Sequence, residues 1–307
     1  MKPLQIWLAQ TRANFLLLVV FLVAIGLAYA AKYHPGEAFN WWHAILILVG
    51  GILAHVSVNL FNELSDYKTK IDFNTERTPF SGGSGMLPAG LTKPSQVRFA
   101  AWLSLLLAGV IGLYFTLTAH WSIAVISLIG AFAIVFYTDT LARMLMGELF
   151  AGLALGSLVV LGAYVAMTAT PSMSILEIAP LEVWLIAIPP GILTSLLLLL
   201  NEFPDVEADR SGGRKHLVIK YGKKVAARHY TAGVITTFAI ILLLPLAGIS
   251  SFWLYLALLP LPVALKAAHT ALTHGGDNAK LMPALGMNVM VVLGTDLLIA
   301  IAVILQL

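Results

Sequence analysis

The sequence predicts an all-α integral membrane protein, one domain over residues 1–307 built from nine transmembrane helices. Three observations carry that prediction. Charged residues make up 11% of the chain and hydrophobic residues 59%, whereas soluble domains are about 25% charged. Apolar stretches of spanning length recur near 13–31, 43–62, 97–117, 121–138, 147–168, 182–200, 230–249, 252–270 and 284–306. The basic residues also segregate: with the N-terminus in the cytoplasm, Lys32 is the one Lys or Arg of 18 on the far side.

The first span follows Lys2 and Arg12 and ends in "AYA" at 28–30, which resembles a leader cleavage site. Its apolar run is long for a leader and eight more spans follow, so it reads as a retained helix. Trp41 and Trp42 open the second span. Trp102, Trp121, Trp184 and Trp253 also stand near span ends, as interfacial anchors do. The fifth span carries Gly152 and Gly156 at a spacing that suits close helix packing. Asn288 and Asp296 in the ninth are eight residues apart, and an acid at mid-bilayer is expected to face the bundle interior. This topology puts the 63–96, 139–146, 201–229 and 271–283 loops in the cytoplasm and the C-terminus outside, in a bacterial or archaeal cytoplasmic membrane. The pI near 9.0 is then a consequence of topology and no sign of nucleic-acid binding. Absence of cysteine excludes disulfides, thiol nucleophiles and thiolate metal sites.

Both long inner loops begin with the same pattern, Asn-Glu-x-x-Asp, at 62–66 and 201–205, which suggests a diverged repeat. In "NLFNELSDYKTKID", Asn59, Asn62 and Asp66 fall on one helical face and Asp72 lies beyond it. In "NEFPDVEADRSGGRKH", Asn201, Asp205 and Asp209 are spaced by four and share a face, with Pro204 expected to loosen the helix. Two matching acid clusters at a membrane boundary point to function. Carboxylates on two facing elements suit Mg²⁺ held against a diphosphate, with Arg77, Arg143, Arg210, Arg214 and Lys215 as candidates to neutralise the remaining charge. "SGGSG" at 81–85 reads as a flexible loop, with a phosphate nest as its alternative. Glu148 either faces a substrate or complements a helix start. His55 reads as a packing histidine, and His216 and His229 have no metal-ligand spacing.

These residues resemble the UbiA superfamily of intramembrane prenyltransferases, and most closely its MenA-like branch, which prenylates dihydroxynaphthoate. The step from Asp66 to Asp72 resembles that branch, as does "YTDTLARMLMGELFAGLALGSLVVLGAYV" at 137–165 and "DVEADRSGGRKHLVIKYG" at 205–222. "RANF" at 12–15 is a fainter echo of its N-terminal arginine motif. Three departures stand out: Glu63 and Glu202 where the family has Asp, and Asp139-Thr140 where it has Gly-Pro. The resemblance implies nine helices with a cytoplasmic cap formed by the two long loops. It also implies Mg²⁺-dependent transfer of a polyprenyl group from its diphosphate to an aromatic acceptor, dihydroxynaphthoate of menaquinone biosynthesis ahead of hydroxybenzoate or a lipid acceptor.

On that reading Asp66, Asp72, Asp205 and Asp209 hold metal, with Asn62 and Asn201 in support. Asn59, Arg12 and the basic residues bind substrate, Tyr137 faces the allylic cation ahead of Tyr67, and Glu148 meets the acceptor. A transporter is the rival from another class. The acids sit at helix ends rather than at the midplane, which favours an enzyme.

Overall fold

The computed structural model describes residues 2–34, 39–75, 77–78 and 80–307, and among these every regular element is helical. A helix not expected from the sequence, α1 (Pro3–Gln10), precedes the first span with Leu4 and Leu8 exposed. Its start is set by Pro3 and by the Gln5 side chain, which accepts from the Lys2 amide at 3.1 Å. Arg12, at φ 52°, breaks the chain direction, and a 3₁₀ turn (Ala13–Leu16) leads into α2 (Leu17–Tyr33). Asn40 caps α3 (Trp41–Lys68) by accepting from the His43 amide at 3.1 Å. The helix runs past residue 62 to Lys68, so the first acid motif is helical throughout. After α4 (Ile71–Asn74) come α5 (Pro94–Thr118), α6 (Ser122–Phe136), α7 (Gly147–Thr168) and α8 (Leu181–Ser211). The chain closes with α9 (Leu217–Tyr221), α10 (Lys223–Leu246), α11 (Phe252–His274) and α12 (Asn278–Ile304).

Among the described residues eight helices are long and apolar enough to cross a membrane. The fourth predicted span corresponds to α6, which has 15 residues and so reaches about 22 Å, short of a bilayer core of about 30 Å. It ends at Phe136 because Tyr137 to Arg143 leave the helix as turns. Pro204 does not end α8: the proline forfeits one hydrogen bond, yet the helix continues to Ser211.

Burial orders the bundle. α8 is the most enclosed helix and packs on α7, α10 and α12, while α2 lies against α3, α7 and α12. The α7–α8 contact depends on glycine: a Cβ at Gly156 would sit 2.5 Å from the Gly191 Cα, and one at Gly152 2.6 Å from the Gly191 carbonyl oxygen. Around this contact α7 widens into a π-helical stretch, Ala151–Ser157.

The end of the bundle opposite the acid motifs is tied by Glu182 at the start of α8. Its carboxylate accepts from Lys32 Nζ at 2.7 and 2.9 Å, Tyr33 OH at 2.5 Å, Ser250 Oγ at 2.7 Å and Tyr29 OH at 3.2 Å. This explains the exceptional lysine: it compensates a buried carboxylate. Glu182→Ala strands Lys32 and is expected to destabilise the fold by about 3–5 kcal/mol, read as a lower thermal unfolding midpoint in detergent. The double replacement Lys32→Met/Glu182→Met should recover most of the loss.

Candidate active site

Helices α3 and α8 bring their acid motifs to the same end of the bundle, and Arg214 joins them. Its guanidinium donates to Asp66 from α3, to Asp209 Oδ1 from α8 at 2.8 Å and to Asn62 Oδ1 at 3.1 Å. Burial works against the Arg214 charge, but the carboxylates of Asp66 and Asp209 outweigh it and hold the guanidinium protonated. Asp66 Oδ2 also accepts from Asn62 at 3.1 Å, and Asp209 Oδ2 lies 3.2 Å from His216 Nε2, though not in hydrogen-bond geometry.

Above this bridge opens a cavity of about 280 Å³. Asn59, Asn62, Asp66, Asp72, Asn201, Asp205, Asp209, Arg12, Arg214 and Tyr137 all line it. Asp72 Oδ2, Asn201 Oδ1, Glu202 Oε2 and Asp205 Oδ1 are buried there without hydrogen-bond partners. Phe15, Phe80 and Phe150 add aromatic surface beside Tyr137. Tyr137 is set by its neighbours, since Thr138 Oγ1 donates to Asn62 at 3.3 Å and Asp139 accepts from Ser65 Oγ at 2.5 Å. The Asp139 departure therefore has a structural role, tying the turn after α6 to α3. Toward the membrane the cavity shares Gly51, Ala54, Gly130, Ile134, Ala154 and Val159 with an apolar groove of about 640 Å³.

Five expected site residues lie outside this cavity. Arg210 is exposed and pairs with Glu207 at 3.2 Å, and the exposed Lys215 gives its backbone amide to the Ala142 carbonyl at 2.9 Å. Arg143 reaches the Gly212 carbonyl at 3.3 Å, and the exposed Arg77 donates to the Asp72 carbonyl at 3.4 Å. Glu148 is buried and accepts from the Leu217 amide at 2.8 Å, capping α9. Basic composition alone does not separate a charge turned inward from one turned to solvent or onto a carbonyl. Tyr67 likewise stays outside, tilted against Phe73.

The two glutamates that replace aspartate enter different networks: Glu63 turns out of the acid cavity, and Glu202 stays in its wall. Glu63 is fully buried and accepts from Arg12 Nε at 3.0 Å, Gln10 Nε2 at 3.0 Å, and the Ser84 amide and hydroxyl at 2.8 and 2.5 Å. The longer side chain thus latches the N-terminal segment and the "SGGSG" loop onto α3, so that loop is anchored. Gly83, at φ 69°, lies so close to Asp72 that a Cβ would fall 2.4 Å from its Oδ1. Glu202 lines the cavity and packs against His216, 3.4 Å away. His216, which the sequence places only in a basic loop, sits between Glu202 and Asp209. His55 is corrected too: it lines the cavity and its Nδ1 has no partner. Residues 55, 59, 62 and 66 share one helical face, a signal present in the sequence. In α12, Asn288 bonds Tyr230 at 2.9 Å and the Leu196 carbonyl at 3.2 Å, while both Asp296 oxygens are buried without partners and away from the cavity.

A helical membrane bundle whose paired acid motifs meet across an arginine, beneath aromatic side chains and beside an apolar groove, defines a class of intramembrane enzyme. The chain matches the UbiA prenyltransferase family over residues 19–289 and belongs to it; it is an integral membrane prenyltransferase. It is 30% identical to the 1,4-dihydroxy-2-naphthoate octaprenyltransferase of Bacillus subtilis, over 73% of this chain and 69% of that one. To the Escherichia coli protein of the same name it is 24% identical, over 98% and 96%. A UbiA homologue from Aeropyrum pernix superposes with a TM-score of 0.68 at 16% identity, over 93% and 97% of the two chains. A UbiA homologue from Archaeoglobus fulgidus bound to DMAPP and Mg²⁺ gives 0.53 at 15%, over 98% and 99%.

Asp72 yields a pH prediction. Burial, reinforced by Asp66 and Glu63, raises its carboxyl from 3.8 to about 7. Between these values the folded chain keeps a proton that the unfolded chain has lost, so stability falls as pH rises across that window. In metal-free protein the thermal midpoint should drop between pH 5 and pH 7.5, and Asp72→Asn should flatten that slope.

Proposed function

We propose that this prenyltransferase moves a polyprenyl group from its diphosphate to an aromatic acceptor, 1,4-dihydroxy-2-naphthoate, as in menaquinone biosynthesis. The observation that carries the donor half is the continuity of the acid-and-arginine cavity with the apolar groove: one end suits a diphosphate, the other a hydrocarbon tail. The acceptor rests on the names of the Bacillus subtilis and Escherichia coli relatives. The Archaeoglobus fulgidus homologue bound to DMAPP and Mg²⁺ supports the donor class and the metal.

The donor chemistry suits Mg²⁺, a cation that takes oxygen ligands and shares them with phosphates. Among the described residues no three acids gather closely enough to hold it by themselves, so the diphosphate would supply the remaining ligands. Asp72, Asn201 and Asp205 each offer a buried oxygen with no other partner; Asp66, Asp209 and Asn62 complete the proposed ligand set. When bound, Mg²⁺ neutralises charge that accumulates on the departing diphosphate. Arg214 serves the same end from the protein side. The donor's phosphate oxygens compete with Asp66 and Asp209 for its guanidinium, so binding frees carboxylate oxygens as it engages the arginine. Arg12 and Asn59 flank the same cavity. Once the carbon–oxygen bond breaks, the faces of Tyr137 and the neighbouring phenylalanines stabilise the allylic cation and keep water from it. Diphosphate leaves with the electron pair of the broken carbon–oxygen bond, the acceptor ring carbon forms the new carbon–carbon bond, and that carbon's bond to hydrogen or carboxylate breaks, releasing a proton or CO₂ and restoring the aromatic ring.

We place the acid end and the N-terminus in the cytoplasm, with the C-terminus opposite, on the distribution of Lys and Arg. The chain acts as one domain, α6 with its following turns serves as a ninth crossing, and the described residues of 69–75 and 80–93, with the 212–222 segment, cap the cavity.

Purified protein, given geranylgeranyl diphosphate, Mg²⁺ and both dihydroxynaphthoate and hydroxybenzoate, is expected to yield a prenylated naphthol by mass spectrometry. The product should vanish with EDTA and fall about 10²–10³-fold in Asp205→Asn, the scale typical of losing one group that stabilises transition-state charge. Prenylated hydroxybenzoate would move the acceptor; no donor consumption would sink the reading. Gly130 lines both the cavity and the groove and has open space around it. Gly130→Leu should therefore slow transfer from geranylgeranyl diphosphate by about tenfold, a ~1.4 kcal/mol effect, while sparing dimethylallyl diphosphate. Equal loss with both donors would remove the groove from the tail's path.

A further inference from the structure

His55 holds the one position on the motif face of α3 that the diphosphate chemistry does not use. It is 4% exposed, lines the cavity, and leaves Nδ1 without a hydrogen-bond partner. Residues 55, 59, 62 and 66 succeed each other by four, three and four, which stacks them on one face. At 1.5 Å per residue, His55 lies about 16 Å along the axis from Asp66, away from the acid end. The wall beside it is apolar, with Gly51, Ala54 and Val58. Its polar neighbours on that face are spoken for: Asn59 donates to the Thr11 carbonyl at 2.9 Å and Asn62 to Asp66.

A buried nitrogen without a partner weakens the fold unless something fills it. The donor offers nothing suitable at this depth, because its polar atoms gather at the acid end and its tail is hydrocarbon. An aromatic acceptor does, since a ring hydroxyl presents both a hydrogen and a lone pair at the edge of a flat apolar body. We propose that His55 hydrogen-bonds a ring hydroxyl of the aromatic acceptor and so sets the depth at which the ring meets the allylic carbon. This rests on the prenyl-transfer reading above. It makes His55 a binding residue for the second substrate, and glutamine, which also pairs with a hydroxyl, its closest functional substitute.

The test compares the full chain with His55→Leu and His55→Gln in detergent, with Mg²⁺ and geranylgeranyl diphosphate, titrating dihydroxynaphthoate and, separately, hydroxybenzoate. Thermal midpoints confirm that each variant is folded. The expected result is an acceptor KM raised about tenfold or more in the leucine variant, a ~1.4 kcal/mol loss, with the donor KM within about twofold of wild type. Glutamine should restore most of the acceptor KM. An unchanged acceptor KM in folded His55→Leu overturns the proposal, as does an equal rise in both KM values or a glutamine variant as impaired as leucine. If wild type uses only hydroxybenzoate, the naphthoate reading fails while the same KM comparison with hydroxybenzoate decides the role of His55. A wild type that prenylates neither acceptor overturns both.

Discussion

Arg214 donates to two carboxylates carried by helices that are far apart in sequence, and the architecture of the acid end follows from that pairing. Neither Asp66 nor Asp209 is stable alone at this depth, because burial of a lone carboxylate is expensive. One guanidinium, planar and permanently charged, satisfies both at once and adds Asn62. Around it the remaining helices and turns take fixed places: Thr138 and Asp139 bond α3, and His216 fills the space between Glu202 and Asp209. The site is thus electrostatically closed before substrate arrives, and a polyanion can open it by competing for the arginine.

Unpartnered oxygens are the counterpart of that closure. Asp72, Asn201, Glu202 and Asp205 each keep an oxygen buried and without a hydrogen-bond partner, and all four residues line the one cavity. At the opposite end of the bundle the buried Glu182 carboxylate is closed instead by protein, with five hydrogen bonds from the four donors Lys32, Tyr33, Ser250 and Tyr29. The strain is local. Arg12 holds a left-handed backbone, a conformation costing on the order of 1–3 kcal/mol, and its bond to Glu63 offsets that cost. The Glu63 latch then fixes the N-terminal segment, the Ser-Gly-Gly-Ser-Gly loop and Asp72 relative to one another.

The two glutamates show why spacing alone misleads. In the chain they look like weakened copies of an aspartate ligand. One more methylene lets Glu63 reach past the α3 face to Ser84 and Gln10, out of the acid centre. Glu202 has the same sequence context and a different neighbour, His216, which the sequence offers no reason to place there.

Membrane class, helix positions, the clustering of acids at one end and the shared face of Asn59, Asn62 and Asp66 follow from composition and period, because burial in lipid and the 3.6-residue turn act locally. Those features were legible without coordinates; His55 stands on the same face by spacing, but its type and apolar neighbours read as packing until the cavity is seen. Which cations turn inward was not legible. Arg12 and Arg214 reach the cavity while Arg77, Arg143, Arg210 and Lys215 end on carbonyls, on a surface acid or in solvent. Positive-inside charge is set by translocation, which is indifferent to side-chain direction. Direction is decided by where α3, α8 and the turn at 212–213 meet, a long-range packing outcome that no local pattern encodes.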